Sequence, residues 1–257
     1  MKFTPQHIFS FLFALIFLSS GSFVNAQVEV SSEEKIPLVP VYCGPEWGVS
    51  NIDKHISYWI AKNNVTVEQY TRFLNAVAAT DAYQLYDQRM SCLAKDYKII
   101  RSGISGHYTY AATYDTPLTS ITFVDLYCAL RFCNWLQNGQ PIGNQDETTT
   151  ERGAYILDGA TATHSGFFTM NENGAKWFIP TLDQWLQVSL DVLGDNMSLW
   201  SDTIISPLYF LSSTWRAYSI QKRTLFGSYG LSIFANTKDR ILGFRVAAPV
   251  ANEFLRH

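Results

Sequence analysis

"VTVEQYTRFLNAV", residues 65–77, is the stretch from which the rest of the chain is read. Thr66 and Gln69 stand at the T-x-x-Q spacing of a capping box, so Thr66 reads as the N-cap of a helix. Val67, Tyr70, Phe73, Leu74 and Val77 then recur at helical spacing and form one apolar stripe. A helix with a single apolar stripe must bury it against other elements. A second helix reads from about Val124 to Leu136, "VDLYCALRFCNWL", and stops before "QNGQP", where Gly139 and Pro141 cannot continue it. A shorter third helix starts at Thr181 in "TLDQWLQVSL", with Asp183 as a first-turn carboxylate. Between and beyond these, "HYTYAATY", "AYILDG", "KWFIP" and "LGFRVAAP" read as short strands among long loops. The class expected is α+β with much irregular structure.

Composition agrees with a folded domain. The chain has 257 residues, 47% hydrophobic and 16% charged, with 15% aromatic residues including seven Trp and fourteen Tyr. Such side chains suit both a loop-rich core and a recognition surface. At the start, Lys2 precedes the apolar run "IFSFLFALIFL" from Ile8 to Leu18, followed by small residues and "VNA" before Gln27. That order describes a secretory signal peptide over residues 1–26, and the run is too short to span a bilayer. No cysteine follows the expected cut, so a bacterial lipid anchor is not expected, nor is any membrane span after cleavage. Residues 27–45, acidic and then proline-bearing, read as a leader, and 46–257 as one domain without linker or repeat. Removing the signal's one lysine takes the formal charge from -3 to -4. Nucleic acid, which needs clustered Lys and Arg, is therefore not an expected partner.

The four cysteines are Cys43, Cys92, Cys128 and Cys133. Cys128 and Cys133 fall in a helical pattern about 140° apart around the axis, so they do not pair easily. An exported protein can oxidise its thiols, which leaves Cys43–Cys92 as the plausible bridge, stabilising by roughly 4 kcal/mol in the chain-entropy model. Four buried free thiols are the equal alternative. No spacing matches a zinc site.

Six blocks in order carry a resemblance. They are "WIAKNNVTVEQYTRFLNAVAATDAYQLY" (59–86), "RSGISGHYTY" (101–110), "RFCNWLQNGQP" (131–141), "QDETTTERGAYILDG" (145–159), "GAKWFIPTLDQW" (174–185) and "LGFRVA" (242–247). Together the chain resembles the formylglycine-generating enzyme (sulfatase-modifying factor) family, most closely a bacterial subgroup. The resemblance implies a C-type-lectin-like fold with two main helices, a small twisted sheet and extensive loops. Family members that make formylglycine hold copper on two thiolates five residues apart, between a Gly-Gly-Ser-aromatic turn and the closing Gly-Phe-Arg strand. Soft thiolates select Cu(I), so the ligand type is fixed. Here the turn corresponds to "SSTW" (212–215), and the two positions fall at Ala217 and Lys222. No cysteine follows Cys133, so the resemblance implies that copper is not held.

The family's calcium positions are also reduced. In "DVLGDNMSLW" (191–200) Asp191 and Gly194 remain as weak calcium candidates, but Ser198 or Leu199 stands where the family has Glu. Calcium takes several oxygens, charged ones among them. His55, His107 and His164 are isolated, and the sequence has no G-x-S-x-G elbow, P-loop or dinucleotide fingerprint. Asn64-Val-Thr and Asn196-Met-Ser match the glycosylation sequon, with Thr66 read as a structural cap.

The expectation is an exported sulfatase-modifying-factor-like protein, non-catalytic, that binds a peptide, protein or glycan or serves structurally at the cell surface, in the periplasm or outside. Its binding face is placed at Trp215, Arg216, Tyr218 and Arg245, since aromatics and Arg anchor recognition surfaces. Core packing of Trp215 and a structural ion pair for Arg245 are the competing assignments. The alternative function is an oxidoreductase or other enzyme on the same scaffold.

Overall fold

A computed structural model describes residues 36–43, 55–161, 168–171, 174–181, 184–185, 198–205, 216–223 and 227–250. All belong to one compact unit within Lys35–His257. The side chains of Cys43, His55 and residues 198–233 lie outside the description, as does the expected signal segment.

In chain order the elements are β1 (Leu38–Cys43), β2 (His55–Ala61), α1 (Val67–Val77), α2 (Arg89–Cys92), β3 (Tyr97–Ser102), β4 (Thr109–Tyr114), α3 (Leu126–Gln137), β5 (Tyr155–Ile156), β6 (Thr169–Met170), β7 (Ser198–Ile205), β8 (Arg216–Arg223), β9 (Gly227–Phe234), β10 (Leu242–Gly243) and β11 (Ala247–Pro249). The class is α+β, as the sequence indicates. β2 lies between β1 and β11, antiparallel to both. β7, β8 and β9 form an antiparallel meander, and β10 adds to β7 in parallel. β3–β4 and β5–β6 are separate two-stranded pairs.

Both long helices start where their caps dictate. Thr66 Oγ1 accepts from the Gln69 amide at 3.2 Å, and Gln69 Oε1 accepts from the Thr66 amide at 2.9 Å, closing the box. Asp125 caps α3 by accepting from the Cys128 amide at 2.8 Å. Thr181 and Gln184 form the same reciprocal pair at 2.8 and 3.2 Å, and Trp185 is fully buried; the remainder of that expected helix lies outside the described residues.

Two sequence expectations change. The leader segment 27–45 gives up six residues to β1, which pairs with β2 along its length through one register shift at Val41/Tyr42. Val41 is buried there, so this stretch belongs to the domain. "KWFIP" is not a strand but a single bridge, in which Phe178 and Ala247 exchange backbone bonds of 2.9 and 2.7 Å. Pro180 has no N–H with which to extend a ladder.

The core is an aromatic cluster between α1, α3 and the segment after β10. Phe132 of α3 lies 5.3 Å from Phe73 and from Phe244 and 5.6 Å from Trp135, centroid to centroid. Beside it, Arg131 makes a two-bond pair with Glu151, Nε to Oε1 at 2.7 Å and Nη2 to Oε2 at 2.9 Å, both side chains almost fully buried.

Candidate functional site

Ala217 and Lys222, the positions that the resemblance aligns with paired cysteines, both lie on β8. Ala217 is opposite Ile204 of β7 and Ile233 of β9, and Lys222 is opposite Ser228. Arg216 and Tyr218 are on the same strand, described only as backbone. Trp215, Asp191 and Gly194 lie outside the described residues, as do Asp183 and His164. Among the described residues no group of three or more His, Cys, Asp or Glu is arranged to hold a metal ion.

Arg245 is not on a surface. It is 2% exposed, and its Nε and Nη2 donate to Asn64 Oδ1 at 2.9 and 2.7 Å. This corrects its assignment to a recognition face: the planar guanidinium fork is used inside the fold. Asn64 in turn donates from Nδ2 to Ser120 Oγ at 3.2 Å. Asn64 is itself buried, so the first sequon is structural.

The thiols do not form the expected bridge. Cys92 is free and exposed at the end of α2, its Sγ 3.6 Å from the Gln88 carbonyl, so no Cys43–Cys92 disulfide is present. That sulfur is turned back onto its own helical turn, and the Cys43 side chain lies outside the description. Cys128 and Cys133 are buried on α3 and form no bridge with each other, consistent with their angular separation. Burial pushes the Cys128 thiol up to about 12, with Asp125 adding to the shift, so it stays protonated and is a poor metal ligand.

What the described residues do form is an open groove of about 820 Å³, a size typical of ligand sites. Three separate segments line it: residues 93–97 after α2, ending on Tyr97 at the start of β3; the connection after β4, from Asp115 to Thr122; and Arg240–Ile241. Leu93, Leu118 and Ile241 line it as aliphatic residues exposed at 60%, 59% and 49%. Lys95 and Arg240 are matched in number by Asp96 and Asp115.

The groove walls are fixed. Tyr97 is buried, and its hydroxyl donates to the Thr122 carbonyl at 3.0 Å. Burial raises the Tyr97 hydroxyl to about 12, so it remains neutral. Thr119 donates its amide to Thr116 O at 3.0 Å and accepts from the first amide of α1, Val67, at 2.9 Å. One orphan donor of the helix start is thereby satisfied by the groove loop. The opposite wall is held by Asp239, whose Oδ1 accepts from the Ile241 amide at 3.1 Å. Arg245, through Asn64 and Ser120, supports the same loop from inside.

Sequence reasoning missed this groove because no motif spans its three segments. The only local signal was aliphatic residues standing among turn formers, as Leu118 does in "DTPLTS" (115–120).

A second polar cluster surrounds the loop after α1. Lys238 Nζ donates to the Gln84 carbonyl at 2.6 Å and lies 3.6 Å from Asp125 Oδ2. Burial works against the Lys238 charge, but the neighbouring Cys128, Asp125, Asp87 and Asp81 outweigh it and raise its proton affinity. It stays a cation and is not a nucleophile.

No protein-family model matches the chain, and no curated protein does. Among solved structures, the crystal structure of CarF is similar at 14% identity, over 84% of this chain and 97% of that one, with a TM-score of 0.46. Variable protein 1 of Treponema denticola is similar at 12% identity, over 82% of this chain and 94% of that one, with a TM-score of 0.42.

Proposed function

We propose that this chain is an exported, non-catalytic sulfatase-modifying-factor-like protein of C-type-lectin-like fold, and that it binds a peptide segment in the groove between α2, β3–β4 and Arg240–Ile241. The family part of the reading rests on the six ordered sequence blocks, and export on the pattern of residues 1–26. Binding rests on one observation, the groove with its three half-exposed aliphatic residues. Apolar surface left open in this way is stabilised when a partner covers it. A peptide fits better than a glycan. Sugar rings stack on open aromatic faces, whereas the groove's aromatic residue, Tyr97, is buried. Two cations balanced by two acids favour a segment without large net charge.

The test is a peptide and glycan array probed with the purified chain and with Leu118→Glu. Peptides with paired aliphatic residues and balanced charge are expected to bind, and Leu118→Glu to weaken them at least about tenfold, the loss of one anchor contact. Glycan-only binding, or binding unaffected by Leu118→Glu, would reject the groove reading. Export has its own check. N-terminal sequencing of the protein recovered outside the cytoplasm is expected to begin at Gln27; an intact Met1 in a cytoplasmic fraction would contradict it.

A further inference from the structure

The turn that joins α1 to α2 is built around a carboxylate with little room for its charge. Asp81 holds a left-handed backbone conformation with φ of 53°, and Gln84 another with φ of 54°. Its side chain is 3% exposed. Oδ1 accepts a good bond from the Leu85 amide at 2.7 Å and a long one from Tyr86 at 3.4 Å. Oδ2 has one guanidinium contact, Arg101 Nη1 at 3.2 Å, rather than the two-bond fork that Glu151 receives. A buried charge so thinly compensated costs free energy.

The turn is also a junction. Arg101 of β3 stands over the rings of Tyr86 and Tyr108, at 4.9 and 4.3 Å. The Ala79 carbonyl accepts from the amides of Gly106 and Tyr108 in the β3–β4 hairpin. Lys238 holds the Gln84 carbonyl from the other side.

We propose that the Ala79–Tyr86 turn is an acid-tightened clasp, in which protonation of Asp81 closes the turn onto the β3–β4 hairpin and deprotonation loosens it. Acid favours whichever state binds the proton more firmly. Burial raises Asp81 from 3.8 to about 6 in the closed turn, against the opposing pull of the Leu85 and Tyr86 amides, Arg101 and Lys238. An opened turn returns the carboxyl to water and to its ordinary value. The closed form is therefore the better proton acceptor, and its advantage grows as pH falls from about 6 towards 4. The other groups facing Asp81 are the hydroxyls of Tyr70 on α1 and Tyr110 on β4, both pushed up by burial, so neither titrates in this window. Lys238, whose proton affinity its acidic neighbours raise, remains a cation throughout it.

Amide hydrogen exchange on the whole chain reads this directly. After correction for the intrinsic pH dependence, protection of the Leu85 and Tyr108 amides is expected to be about tenfold greater at pH 5 than at pH 7.5, the ratio set by carboxyl values near 6 and 3.8. Asp81→Asn keeps the acceptor oxygen, and Asn tolerates the left-handed backbone. In that variant the pH dependence is expected to vanish at both amides. Should Asp81→Asn not fold, Arg101→Gln serves instead, because removing the cation moves the midpoint to higher pH. A flat profile in the native chain would overturn the clasp. So would an unchanged profile in Asp81→Asn, or a midpoint unmoved in Arg101→Gln.

Discussion

Glu151→Ala is expected to destabilise the fold by about 3–5 kcal/mol, the cost of leaving a buried cation without its partner. Glu151 accepts four bonds. Two come from Arg131, one from the Thr150 hydroxyl at 3.0 Å and one from the Gly159 amide at 2.9 Å. The side chains of Arg131 and Glu151 are 1% and 5% exposed, so water cannot replace what the substitution removes. Arg131 also lies 4.0 Å over the Tyr83 ring and donates to the Ala160 carbonyl at 3.2 Å, which prevents it from swinging out to solvent. Urea unfolding followed by circular dichroism is the measurement. The midpoint is expected to fall with the slope unchanged, since the surface exposed on unfolding is the same. The double substitution Arg131→Met, Glu151→Leu is expected to recover most of the loss, because a well-packed apolar pair avoids the desolvation cost. If Glu151→Ala moved the midpoint no more than an exposed pair such as Arg152–Asp158 does when broken, the pair would not be a buried charge in solution.

That pair also explains which parts of the fold were legible. Arg131 and Glu151 sit in two of the six blocks on which the family resemblance rests, and their role is structural. Thr66, Gln69 and the apolar stripe of α1 were readable because capping and helical period are local. Asp125 was the missed cap of α3, although a carboxylate preceding an apolar run is the usual sign. β9 was missed despite a local signal: Tyr229, Leu231 and Ile233 alternate with Ser228, Gly230 and Ser232 in "GSYGLSIF", the period of a strand with one covered face. Arg245 was assigned outward on residue type, yet it stands between Phe244 and Val246, both fully buried. A charge inside an apolar run signals a buried partner, and that partner, Asn64, lies too far along the chain for spacing to reveal. The groove was beyond reach for the same reason. Its walls come from three segments brought together by bonds such as Val67 to Thr119 and Phe123 to Asp239.

Phe132→Ala carries the second large effect, about 3–5 kcal/mol. The ring is 1% exposed and touches aromatic partners on three elements: Tyr70 and Phe73 from α1, Trp135 one turn along α3, and Phe244 after β10. Phe73 and Phe244 meet it nearly edge-on, at 84° and 77°, so each contact adds aromatic geometry to the area buried. The other two ring partners are pinned by hydrogen bonds. Tyr70 donates its hydroxyl to the Leu85 carbonyl at 2.8 Å, and the Trp135 indole donates to Pro141 O at 3.0 Å. Rings held by hydrogen bonds cannot collapse into the void, so the cost belongs at the upper end for this substitution. Phe132→Leu fills part of the volume and is expected to cost about half as much or less. The comparison is decisive because a pliant core would make the two variants similar in thermal midpoint, whereas a pinned one separates them. The separation would also place α1, α3 and the segment carrying Arg245 in one cooperative unit, since Phe132 is the ring they share.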